Sequence, residues 1–235
     1  MNDQLNRYLN RNNLFAQEIE EKFPQVWDVV GEVIQRINTL MHKIRDEQGK
    51  DKTREILFDL WGSIGRYQIN SILNIFSRNL DEGLAILRMA AELSRTLKAL
   101  EQKEKNYKMW VRGKDRYSAT FQTDAKFDLN DSTEKRIFDT YNFCSDYGTH
   151  GHKTSALYLE DTLTGREPSL KGVSQVSEHW FISYVPMHRL TLKCIVDLSA
   201  KNYFEYDLEL TVLETKLLER IQNDPFFTQP VSFVS

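Results

Sequence analysis

VWDVVGEVIQRINTLMHKIR, residues Val26 to Arg45, decides the fold of this chain. Val26, Val30, Val33, Ile37, Leu40 and Ile44 form one narrow apolar stripe at helical spacing, while Asp28, Glu32, His42 and Arg45 lie off it. A helix with one buried edge needs other helices to cover that edge, and the rest of the chain supplies them. Upstream, Leu5, Leu9, Phe15, Ile19 and Phe23 repeat at the same spacing until Pro24 breaks the run. Downstream, the polar run RDEQGKDK from Arg45 to Lys52 reads as a loop. A third helix, from Thr53 to Arg78, carries Ile56, Leu60, Ile64, Ile72, Leu73 and Phe76.

Asn79 with Glu82 three residues on is a capping-box pattern, and it opens a fourth helix from Leu80 to about Gln102. The apolar period is lost between residues 103 and 130, which read as an inserted loop with a short helix at most. Asp131 and Glu134 repeat the capping pattern for a fifth helix that Gly148 is placed to stop. From Ala156 to Leu163 and from His179 to Val185, apolar and polar residues alternate, which predicts two short strands forming a small hairpin. Pro186 then starts a sixth helix that ends near Lys201 to Tyr203, and a seventh runs from Tyr206 to Ile221 with Leu208, Val212, Thr215 and Leu218 along one side. The tail PFFTQPVSFVS is too apolar for a solvated linker and is expected to pack back on the bundle. The expected fold is all-α, one domain over residues 1–235: a bundle of about six or seven helices with a small β-hairpin insertion.

Composition narrows the function classes. The chain has 235 residues, 40% of them hydrophobic, and a formal net charge of -3, so attraction to nucleic acid or to an anionic membrane has to come from a local patch. Two cysteines, Cys144 and Cys194, exclude a disulfide framework and a multi-cysteine zinc site. No stretch approaches the roughly 18 apolar residues of a membrane span, and the first residues lack the apolar core of a signal peptide. A cytoplasmic protein that does not engage membranes is expected.

Polar residues concentrate in two otherwise apolar helices, LRMAAELSRTLKAL (Leu87 to Leu100) and YNFCSDYGTHGH (Tyr141 to His152). Arg88, Glu92 and Arg95, at i, i+4 and i+7, share one stripe. It reads either as a solvated face or, if the helix is buried on both sides, as charges in need of partners. Ser145 falls on the apolar face of the fifth helix, where its hydroxyl can bond its own backbone; Asp146 points away. His150 follows the helix end, where free carbonyls favour its charged form, as cap or as acid and base. His150, His152 and Asp146 match no metal-ligand pattern, and neither a GxSxG nor a phosphate-binding glycine loop is present. No metal and no cofactor are expected. KEKNYKMWVRGKDRY, from Lys103 to Tyr117, interleaves basic and aromatic residues, and Lys108, Trp110, Arg112, Lys114 and Arg116 are its candidates for nucleic-acid contact.

The LxRxxxE pattern of the fourth helix and the YxxxSDYxxH pattern of the fifth resemble those of a group of uncharacterised bacterial helical proteins, itself similar in general character to the HEPN superfamily of small helical bundles. The resemblance covers roughly residues 80 to 150. It implies that Arg88, Glu92, Tyr141, Ser145 and His150 line one polar pocket between two helices. HEPN nucleases carry an Arg followed by a His after four to six residues, and RINTLMH offers Arg36 with His42. A six-residue step sets those two side chains about 120° apart around an ideal helix.

Two functions follow as alternatives. In one, the protein is a metal-independent endoribonuclease of toxin or antiphage type, with His150 or His42 as general base and Arg88 or Arg36 stabilising charge on RNA. In the other, it is a non-catalytic module that binds a protein partner or a second copy of itself through the second helix, other apolar helix faces or the C-terminal tail.

Overall fold

The computed structural model describes residues 16–48, 52–102, 104–111, 119–148, 170–196 and 201–228. Among these, every regular element is a helix: α1 (16–22), α2 (Pro24–Gln48), α3 (Lys52–Phe76), α4 (Leu80–Gln102), α5 (Glu104–Val111), α6 (Ala119–Asp124), α7 (Ser132–Gly148), α8 (Leu170–Ile195), α9 (Lys201–Asn223) and α10 (Pro225–Thr228). The all-α class is as expected. The ten described helices exceed the expected six or seven because the region expected as a loop forms α5 and α6, and the start of the tail forms α10.

The stripe on α2 is the buried edge its spacing implies: Val26, Val30, Val33, Ile37, Leu40 and Ile44 are all buried. The helix runs on through Arg45 to Gln48, into residues expected as loop. Helix α3 ends with Arg78 in the left-handed region (φ 62°), and the Asn79 amide reaches back to the Asn74 carbonyl at 2.9 Å. This is the closing turn usually built on glycine, and it reverses the chain into α4. The two helices then pack so closely that a Cβ on Gly83 would stand 2.6 Å from Ile75 Cγ1.

The hairpin is the main correction. Residues 156–163 lie outside the described residues, and His179–Val185, expected as a strand, is the middle of α8. From Trp180 to Leu192 only Ile182 and Arg189 are not buried, because α8 packs against α3, α4, α7, α9 and α10. A helix covered all round loses its amphipathic period, so its aromatic and β-branched residues imitate strand alternation. Pro186 does not start a helix either; it sits inside one and leaves the Ile182 carbonyl without its usual helical donor. Ser177, Ser183 and Thr191 bond the carbonyls four residues back, which lets small polar residues sit in the core. Likewise Lys201 opens α9 instead of closing the preceding helix.

Charged side chains tie the outer layer down. Arg189 holds Asp207 with two bonds, at 2.9 and 3.1 Å, and Glu214 with a third at 2.9 Å; Arg136 of α7 also pairs with Glu214. Phe226 of α10 is buried against Phe23, Phe76 and Phe227, so the described part of the tail packs back as expected.

Candidate functional site

Helix α4 is buried on two sides, through Leu84, Leu87 and Ala91 as well as Ala90 and Leu97. Its charged stripe therefore lies at the margin of a seam with α7 and not on a free face. Arg88 Nε bonds Glu92 Oε1 at 3.2 Å, with side chains 30% and 47% exposed. The partner across the seam is an aromatic ring. The Arg88 guanidinium lies 5.4 Å from the centre of Tyr141, and that of Arg95 lies 5.6 Å from the same ring. Both cations are drawn to the negative π cloud of one tyrosine, which offsets the repulsion between them. Arg95 is fixed further by the Ala125 carbonyl (3.3 Å) and the Phe127 ring (5.9 Å).

Arg95 and Tyr141 divide two adjoining clefts. One, about 380 Å³, is lined by Glu92, Thr96, Phe121, Gln122 and Ala125; the other, about 270 Å³, by Lys126, Phe127, Leu129 and Phe138. Of the five residues expected in one pocket, Glu92 and Tyr141 line the first cleft, while Arg88 bonds Glu92 and lies over Tyr141 without lining either cleft. Ser145 bonds the Tyr141 carbonyl of its own helix at 2.8 Å, which is the backbone role read from its position. His150 lies outside the described residues. Arg95, Gln122, Lys126 and Phe127 complete the surroundings, and only Arg95 had a signal in the sequence, its place in the i, i+7 stripe.

The start of α7 is built from the predicted cap, with one difference. Asp131 Oδ1 accepts from the amides of Thr133 (2.8 Å) and Glu134 (3.1 Å). Glu134 does not reach back to close the box; it pairs with Lys98 of α4 and accepts the Asp128 amide. Burial works to raise the Asp131 pKa, but the Lys193 bond and the two amides outweigh it and hold the carboxyl low.

A third cleft, about 280 Å³, opens between α2 and α3, lined by Asn38, Met41, His42, Arg45, Phe58, Asp59, Gly62 and Arg66. Among the described histidines His42 alone is exposed, for His188 is buried and His179, half-buried, stacks on Phe143. Arg36 does not join His42. It pairs with Glu32 one turn back and lines none of this cleft, as the 120° step implies. Arg45 shares the face of His42 by its i, i+3 spacing, and Arg66 arrives from α3. The sequence offered no local signal for Arg66, because only the packing of two helices brings it there.

The remaining candidates separate. Lys108 is exposed on α5, Trp110 packs partly buried against the core, and Arg112, Lys114 and Arg116 lie outside the described residues. Burial pushes the Cys144 and Cys194 thiols up to about 12, so both stay protonated and unreactive. No group of three His, Cys, Asp or Glu side chains suited to a metal occurs among the described residues, and no described helix is long and apolar enough to cross a membrane. Compared with family models, curated proteins and solved structures, the chain matches none.

Proposed function

We propose that this protein is a HEPN-like, metal-independent endoribonuclease whose reaction centre is the cleft between α2 and α3. The observation that carries the reading is His42, the one exposed histidine among those described, lining that cleft with Arg45 and Arg66. In this chemistry neutral His42 takes the proton of a 2′-hydroxyl as its oxygen attacks the adjacent phosphorus. Arg45 and Arg66 hold the charge that builds on the phosphoryl oxygens, and the protonated imidazole returns its proton to the departing 5′-oxygen. Arg45 and Arg66 take the role expected of Arg36. The Arg88–Tyr141–Arg95 stack with its flanking clefts serves the same reading as a place for RNA contact, since cations beside an aromatic ring suit phosphate and base together.

The test is cleavage of total RNA with EDTA present by wild type, His42→Ala, Arg66→Ala and Arg36→Ala, each checked for folding. Loss on the first two substitutions and retention on the third is the expected pattern. Equal cleavage by His42→Ala and wild type would remove the assignment.

A further inference from the structure

The cleft of about 270 Å³ beside Arg95 and Tyr141 joins an apolar lining to two cations. Phe127, Leu129, Phe138 and Tyr141 supply the apolar part, Arg95 and Lys126 the charge, and no described carboxylate lines it. Leu129 is 52% exposed, so part of the apolar lining faces water. Phe127 and Phe138 meet edge to face with ring centres 6.4 Å apart, which builds a shaped wall from two aromatic side chains.

The turn between α6 and α7 that carries Lys126, Phe127 and Leu129 is clamped to both neighbouring long helices. The Lys126 carbonyl accepts from the Lys98 ammonium of α4 at 3.0 Å, and the Asp128 amide donates to Glu134 of α7 at 2.6 Å. Lys98 and Glu134 pair with each other, which closes the clamp. Arg95 is held as well: Nε donates to the Ala125 carbonyl at 3.3 Å and Nη2 to Gln122 Oε1 at 3.4 Å. Those bonds use two of its five N–H groups, and Nη1 has no partner among the described residues. The Lys126 ammonium has none there either. A cleft formed before its ligand arrives avoids much of the ordering cost of binding.

We propose that this cleft binds a small aromatic monocarboxylic acid, its ring against Phe127, Leu129 and Phe138 and its carboxylate on Arg95 and Lys126. The size follows from the volume, which falls just below the roughly 300–1,000 Å³ that holds drug-sized ligands and so admits one ring system with a short acid chain. The single charge follows from the surroundings. The planar guanidinium matches a carboxylate and Lys126 adds a point charge, while Glu92 lines the adjoining cleft beyond Arg95 and disfavours a doubly charged phosphate. Arg95 and Tyr141 also belong to the stack offered to RNA, so acid and RNA compete for them. The inference stands apart from RNA cleavage, because binding of the acid is read without RNA.

Saturation-transfer NMR titration of the full chain with 1-naphthylacetate is expected to give a Kd of roughly 0.1 to 1 mM, the range its size allows. 1-Naphthylacetamide keeps the ring and loses the charge, acetate keeps the charge and loses the ring, and each is expected to bind at least tenfold more weakly. Lys126→Glu and Leu129→Asp change exposed side chains, so each should keep the wild-type melting temperature while raising the Kd for the acid at least tenfold. Adenosine 5′-monophosphate tests a nucleotide as the occupant instead. Four results would each overturn the assignment: no binding of the acid, an amide that binds as tightly as the acid, wild-type affinity in either variant, or tighter binding of the nucleotide than of the acid.

Discussion

Lowering the pH from 7 to 5 is expected to destabilise the fold through a histidine that takes no part in the proposed chemistry. His188 is buried in α8, and its Nδ1 accepts the indole proton of Trp61 at 2.6 Å, which fixes the ring as neutral. Burial pushes its pKa down to about 3. The unfolded chain takes up that proton near pH 6.5, so from there down to about 3 the unfolded state binds one more proton than the folded one. Its contribution is complete above pH 6.5 and is lost as the pH falls. At roughly 1.4 kcal/mol per pH unit, it comes to about 2 kcal/mol between pH 7 and 5. His179 is pushed down to about 4 by burial and has the same sign, but its ring is half-buried and its share is discounted to about 1 kcal/mol. Glu32 and Asp131, held low by their partners, act mainly below this window.

His188→Gln keeps an acceptor for Trp61 and removes the titration. Urea unfolding followed by tryptophan fluorescence at pH 7, 6 and 5 should show wild type losing about 3 kcal/mol and the variant about 1. Other titrating groups are common to both proteins and cancel in the difference. Equal losses would refute the burial of a neutral His188.

Two further substitutions probe the parts that position the α4 and α7 seam. Gly83→Ala places a methyl 2.6 Å from Ile75 Cγ1 and 3.2 Å from the Ser71 carbonyl; it should cost about 1 to 3 kcal/mol in urea unfolding, with a gain in stability counting against the close α3 and α4 packing. Asp131→Ala removes the acceptor of two α7 amides and the partner of Lys193. Loss of the cap should cost about 1 kcal/mol, read as a lower thermal midpoint with faster amide exchange at the start of α7.

Legibility in the sequence followed how many sides of each helix are covered. α2 is covered along one edge, and its six-residue stripe was readable one residue at a time. α8 is covered all round, so aromatic and β-branched residues over 179–185 read as a strand. Caps written locally were readable at Asp131, whereas the diversion of Glu134 to Lys98 depends on where α4 lies. The same distinction holds for the site. Arg88, Glu92 and Arg95 share a stripe by arithmetic, but their meeting on Tyr141 and the arrival of Arg66 beside His42 belong to packing.

Cleavage of a defined single-stranded RNA by wild type and His42→Ala, in EDTA and under single-turnover conditions, tests the proposed chemistry most directly. The expected result is wild-type cleavage leaving a 2′,3′-cyclic phosphate and a 5′-hydroxyl, with the variant slower by about 100-fold or more. A folded wild type that leaves the RNA intact, or a variant that cleaves at the wild-type rate, would contradict it.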